Sequence, residues 1–219
     1  MCPRPRLTPD ADIVAATARA IGRVGPARLT LADVAGEAGV APATLVQRFG
    51  SKRGLLLAVV RQGLATVGQE FAEIRAAHPS PLDALWAVGT CMARFVETPE
   101  AMSNHLAFFQ MDLTDPDFYR LTLEHARIVR SEIRALLDAA VEASELAPCD
   151  TTRLARAIQV TLNGSLLTWA VFREGTVGEW IREDLETLLH PFRVSDQRPG
   201  PARQGTAAKT GRKKTARKR

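Results

Sequence analysis

The chain of 219 residues has only three cysteines, Cys2, Cys91 and Cys149. Their odd number and wide spacing exclude a disulfide framework, and they fit no zinc-ligand pattern. They suit a reducing interior as small buried or incidental thiols. Long apolar runs are also missing: none approaches the roughly 18 residues that a membrane span needs. Residues 1–10 hold prolines and arginines but no apolar stretch, so no secretory signal is expected there. No segment carries the alternation of β-branched residues that marks a strand. The patterns GxGxxG, GxxxxGK[ST], HExxH, CxxC and GxSxG do not occur, which leaves no catalytic constellation to assign. The expectation is a cytoplasmic, non-membrane, all-α protein that is not an enzyme and carries no metal and no cofactor.

What is present is apolar material, 46% of residues, enough for a sizeable core. Charge is distributed unevenly. From Ser195 onward nine basic residues face a single acid, Asp196, for a net +8 within a whole-chain charge of +5. Residues 1–55 hold eight bases and four acids, so the middle of the chain, 56–194, carries −7. Basic ends and an acidic centre point to nucleic acid at the ends and to another task between them.

The pattern reads as helix after helix, punctuated by Gly and Pro. A first helix is expected from Pro9 to Val24, closed by Gly25-Pro26. Thr30 caps a second from Leu31 to Ala38, and Pro42 opens a third that stops at Gly50. Longer helices follow over Ser51–Ala76, Leu82–Val96, Pro99–Met111, Asp115–Leu146 and Thr151–Arg173. A last one runs to Pro191 behind the capping-box pair Thr176 and Glu179. This divides the chain into an arm (1–8), a three-helix unit (9–55), a larger helical domain (56–194) and a basic tail (195–219). The tail lacks large apolar residues, so disorder is expected.

The segment TLADVAGEAGVAPATLVQRFGSKRGLLLA, Thr30 to Ala58, carries the functional signal. Two short helices joined by a glycine-containing turn form helix-turn-helix grammar. Gly39 falls where the turn needs a positive φ, and Val40 fills the angle between the helices. Leu45 and Phe49 must face inward, which puts Ala43 and Gln47 outward, Thr44 and Arg48 on one flank and Val46 on the other. Such a face can enter a major groove, with Gln and Arg reading base edges and Thr meeting a phosphate or a thymine methyl.

This stretch, with the preceding IVAATARAIGRVG, resembles the DNA-binding domain of the TetR family of bacterial transcriptional regulators. The likeness rests on Ala16, Gly25, Thr30, Val34, Ala35, Ala38, Gly39, Val40, Thr44, Leu45, Phe49, Ser51, Lys52 and Leu55 and covers about the first 60 residues. It implies that Pro42–Phe49 is a recognition helix and that Lys52 anchors a phosphate, so the expected DNA-contacting set is Thr30, Pro42, Ala43, Thr44, Val46, Gln47, Arg48 and Lys52. Three positions depart from the family pattern: Val46 replaces a frequent Tyr, Ala41 a Ser or Thr cap, and Ile21 a frequent Phe.

The resemblance also implies a ligand pocket and a dimer interface in the later helices. Trp86, Phe95, Met102, His105, Phe109, His125, Asn163 and Trp169 are candidates for the pocket, though most aromatic and Met residues at helical spacing simply fill a core. His105 and His125 fit satisfied core or pocket histidines better than a metal pair. Leu162, Leu166, Leu185, Leu188 and Leu189 are candidates for the homodimer interface. The expected function is a ligand-responsive repressor that binds a palindromic double-stranded operator as a dimer and is released by a small-molecule effector. A chromatin-type DNA binder dominated by the basic tail, without an effector, is the alternative.

Overall fold

The computed structural model describes residues 8–94 and 96–194; the expected arm up to residue 7, the candidate Phe95 and the whole basic tail lie outside the described residues. Nine α-helices follow one another among the described residues: α1 (Asp10–Arg28), α2 (Leu31–Ala38), α3 (Pro42–Phe49), α4 (Lys52–Ala77), α5 (Pro81–Ala93), α6 (Pro99–Thr114), α7 (Pro116–Glu142), α8 (Thr151–Phe172) and α9 (Val177–Leu189). A single 3-10 turn, His190–Phe192, closes the described chain.

Local chemistry explains most helix ends. Thr30 and Asp33 form a capping box at the start of α2, as Thr176 and Glu179 do at α9. Asp115 caps α7 ahead of Pro116, and Asp150 caps α8 by accepting from the Arg153 amide at 3.0 Å. Three ends differ from the pattern expected. The first helix does not finish at Val24: the axis breaks at Gly25, at φ 76°, and one more turn follows to Arg28. Asn104 of α6 lies so close to this break that a Cβ on Gly25 would sit 2.5 Å from the Asn104 Oδ1, so the kink answers a tertiary contact as well as Pro26. Helix α5 stops at Ala93, short of Val96. Helix α7 ends at Glu142, because Leu146 leaves it to pair with Arg193 beside the 3-10 turn.

Two apolar clusters hold the helices together. The larger one joins the C-terminal part of α4 with α5, α7, α8 and α9, including Phe71, Leu85, Ile133, Leu137, Ile158, Leu162, Trp169 and Leu185. The smaller one gathers Ile13, Ala20 and Ile21 of α1, Val34 and Ala35 of α2, Leu45 of α3 and Leu55–Leu57 of α4. It does not stop at residue 55. Phe118 and Leu121 of α7 are buried in it, and Phe108 and Met111 of α6 pack against it. Phe118 is fully buried and meets Phe108 edge-on at 6.1 Å between ring centres. The three N-terminal helices thus complete their core with residues from α6 and α7.

Truncation of a fully buried Phe removes transfer energy and leaves a cavity, at a cost of about 3–5 kcal/mol. Phe118→Ala should lower unfolding stability by that amount. A urea titration followed by far-ultraviolet circular dichroism measures it, and the loss should cover α1–α3 although the residue lies on α7.

Candidate nucleic-acid interface

The turn between α2 and α3 has the geometry its sequence requires. Gly39 adopts the left-handed conformation (φ 66°, ψ 33°), and the Val40 amide donates to the Ala35 carbonyl at 3.0 Å. Leu45 is fully buried and anchors α3 in the N-terminal cluster. Around the helix from Leu45, Ala43, Val46 and Gln47 are exposed, Val46 by 48%, while Thr44 and Arg48 are half-buried. Pro42 occupies the first turn, where its missing N–H leaves no helical bond unmade.

Three of the expected contact residues hold other partners. The Thr30 hydroxyl accepts from the Asp33 amide at 3.1 Å and donates to Asp33 Oδ2 at 2.6 Å, which keeps the Asp33 carboxyl below its usual range. Arg48 turns from the exposed face: its Nη1 donates to the Thr8 carbonyl and to Asp10 Oδ1, the latter at 3.1 Å. Lys52 Nζ donates to the Ala27 carbonyl at 3.2 Å, leaving two of its three N–H donors for another acceptor. The exposed side-chain surface of α3 therefore narrows to Pro42, Ala43, Val46 and Gln47, with Thr44 at its edge. Arg48's engagement was invisible in the sequence, since its partners lie 40 and 38 residues away.

Beside this surface, α4 is tied to the corner between α6 and α7. Arg53 donates from Nε and Nη2 to the two carboxylate oxygens of Asp115, at 2.9 and 2.8 Å, and from Nη2 to Asp117 at 2.8 Å. Its guanidinium lies 5.7 Å from the centre of the Phe118 ring. This guanidinium holds the Asp115 carboxyl below the usual carboxylate range. Asn104 of α6 adds a second tie, donating to the Gly22 carbonyl of α1 at 2.8 Å.

Three comparisons with known proteins bear on this geometry. Residues 13–59 match the model described as bacterial regulatory proteins of the tetR family, and residues 86–191 match that of the C-terminal domain of BetI-type transcriptional repressors. The HTH-type transcriptional regulator BetI of Agrobacterium fabrum is 32% identical over 155 residues, covering 69% of this chain and 72% of the relative. The chain belongs to the TetR family. It is a helix-turn-helix regulator of transcription, and its family is one of regulators rather than enzymes. The BetI of Rhizobium meliloti is 29% identical over 69% of this chain and 73% of its own length. The fold agrees with a TetR-family regulator from Agrobacterium tumefaciens (TM-score 0.67, 18% identity, 84% of this chain and 97% of that one). Reduced Escherichia coli NemR matches equally well, with TM-score 0.67, 16% identity and the same two coverages.

The residues expected to line a TetR-type ligand pocket have different surroundings, and Met102, Trp169 and Trp86 share the larger core cluster. Met102 and Trp169 are buried in the larger core, where the Trp169 indole N–H donates to the Gly175 carbonyl at 3.3 Å. Trp86 lines an open groove of about 520 Å³ beside Ile74, Cys91 and Arg182. His105, Phe109 and Asn163 are exposed, and His125 is half-buried on α7. Burial lowers the His125 pKa, opposed by the charge of Glu70 on α4. Of the expected interface leucines, Leu162, Leu166, Leu185 and Leu189 are taken up by the chain's own core, and Leu188 packs partly against it. The exposed apolar stripe of α8 lies on its opposite side, at Val160, Leu167 and Val171, while the exposed Phe172 ring meets Trp180 of α9 at 5.6 Å between centres. Among the described residues no group of three His, Cys, Asp or Glu could hold a metal, and no helix is long and apolar enough to cross a membrane.

One residue of the helical domain has no counterpart in the sequence reading. Asp112 of α6 is buried to 8% exposure, and its Oδ1 has no hydrogen-bond partner among the described residues. Burial pushes its pKa up to about 6 against partial relief by a hydrogen bond with Thr122 of α7. A carboxyl with a raised folded pKa binds protons more tightly in the folded state, so stability falls as pH rises from about 4 through 6. At pH 8 the penalty is on the order of 3 kcal/mol. Asp112→Asn should raise stability most at pH 8 and little at pH 4, as urea unfolding at the two values will show.

Proposed function

We propose that the chain represses transcription as a two-fold dimer whose α3 helices enter successive major grooves of an inverted-repeat operator. The observation that carries the reading is the exposed Ala43–Val46–Gln47 face of α3, free of large side chains and braced from behind by fully buried Leu45. On this reading Gln47 reads a base edge, Val46 meets a thymine methyl in place of the family's aromatic residue, and Lys52 with the first-turn amides of α4 holds a phosphate. Half-site centres fall one helical turn apart or a multiple of it, roughly 34–36 Å per turn. Repression is supported by the match of the C-terminal domain to BetI-type repressors. Acting at DNA, the protein works in the cytoplasm.

The dimer face in this proposal is the stripe Val160, Leu167 and Val171, which the chain's own core leaves uncovered. The release signal is a small molecule held in the helical domain. The buried Asp112 Oδ1, without a hydrogen-bond partner among the described residues, supports an effector that supplies a hydrogen-bond donor or positive charge. Such a ligand prefers a conformation in which α6 has shifted, and the ties Asn104–Gly22 and Arg53–Asp115 carry that shift to α1 and α4.

Titration of an operator isolated from upstream of the protein's own reading frame tests the recognition face. Gln47→Ala should cost about 1–3 kcal/mol on that operator and little on random DNA, whereas Lys52→Ala should weaken both alike. The reverse pattern would mean the face is misassigned. Light scattering should report twice 23.8 kDa for the wild type and the single mass for Leu167→Glu/Val171→Glu.

A further inference from the structure

Helix α3, PATLVQRF, contains a single cation, and that cation is turned away from the outward face. Only 16% of the Arg48 side chain is accessible, and its guanidinium donates to the Thr8 carbonyl and the Asp10 carboxylate. Fully buried Leu45 and half-buried Phe49 hold the inner side of the helix in the N-terminal cluster. Successive residues turn by about 100°, so the order around the outer side is Pro42, Val46, Ala43, Gln47 and then half-buried Thr44. The first three form an unbroken apolar strip. Among the described residues of α3, Gln47 is the one exposed side chain able to hydrogen-bond a base edge. Such a face cannot make the commonest specific contact of the major groove, the bidentate hold of arginine or lysine on guanine. To an apolar strip the groove offers one group, the C5-methyl of a pyrimidine.

We propose that α3 reads its operator chiefly through pyrimidine C5-methyl groups, with Val46 and Pro42 as the specificity-determining residues. On this basis 5-methylcytosine stands in for thymine where they touch, and the regulator is sensitive to cytosine methylation of its site. The inference rests on the reading of α3 as the recognition helix and names the group that this helix reads. Pro42 and Val46, four residues apart, are separated by about 6 Å along the helix axis, close to two base-pair steps of roughly 3.4 Å. The two side chains therefore meet methyls on different base pairs. Valine on a helix keeps one χ1 rotamer and the proline ring is fixed, so both lose little freedom on contact. Gln47, on the polar edge of the strip, pairs with adenine N6 and N7. 5-Methylcytosine carries its methyl on the same ring atom as thymine, projecting into the same groove, and its exocyclic amine replaces the thymine O4. A contact made to the methyl alone accepts either base and rejects unmethylated cytosine. Removing one such group from water contributes about fourfold in affinity, and two symmetric half-sites together about fifteenfold.

The test starts from the inverted repeat that the full-length protein selects out of random duplexes. Deoxyuridine is then placed at one thymine position at a time, in both half-sites, which removes the methyl and keeps the base pair. Fluorescence-anisotropy titration of the wild type should find two positions where this change weakens binding by about fifteenfold. With C·G at either position, methylating the cytosine at C5 should strengthen binding by about the same factor. Val46→Ala should lose both effects at one of the positions and Pro42→Ala at the other. Both changes fall at exposed positions that alanine fills without loss of helix. Gln47→Ala should weaken binding and keep the methyl effects, so a general loss of affinity is told apart from a loss of methyl reading. No uracil effect at any thymine of the half-site, or effects that survive in both Val46→Ala and Pro42→Ala, overturns the proposal and leaves the α3 reading standing. Selection that returns no inverted repeat overturns the α3 reading itself.

Discussion

Phe118 has nowhere to be buried except in the core of the DNA-binding helices. It belongs to α7, yet it lies in the cluster formed by Ile13, Val34, Leu45 and Leu55. Arg53 covers it and binds Asp115 and Asp117 on the turn that delivers it. Much of the molecule's behaviour follows from this arrangement. A small three-helix unit buries little interior and is marginal alone. By borrowing Phe118 and Leu121, it gains a core and becomes part of the domain that would sense an effector. The position of α3 is then set by the packing of α6 and α7 as well as by its own turn.

The functional logic of the fold follows the same route. Helix α6 touches α1 through Asn104, packs Phe108 and Met111 on the N-terminal cluster and carries the buried Asp112 on the same stretch. A buried carboxylate with one oxygen unpaired is costly, and such costs are kept where function uses them. A ligand that pairs with Asp112 would relieve the cost and do so on the helix most directly joined to α1.

Features made by neighbours in the chain were legible in the sequence. Gly39 in its left-handed turn, the caps at Thr30, Asp115, Asp150 and Thr176, and the buried Leu45 all follow from rules that span a few residues. Features made across the fold were not. Arg48 looked like a base reader because its partners, Thr8 and Asp10, are distant in sequence. Gly25 looked like a terminator, whereas the chain kinks there against Asn104 and continues. Helix α8 is apolar on two sides, and periodicity gave no means of ranking Leu162 and Leu166 above Val160 and Leu167; packing against α9 decided it. Asp112 drew no notice because a single acid among apolar residues reads as a surface position.

Native-state hydrogen exchange tests the central claim, that the DNA-binding helices and the α6–α7 corner are one cooperative unit. As denaturant is raised, the slowest amides of α1 around Ile13–Thr17 and those of α7 around Phe118–Leu121 should merge into a single unfolding step with a common free energy. An α1–α3 unit that opens at distinctly lower free energy, while the start of α7 stays protected, would contradict the account.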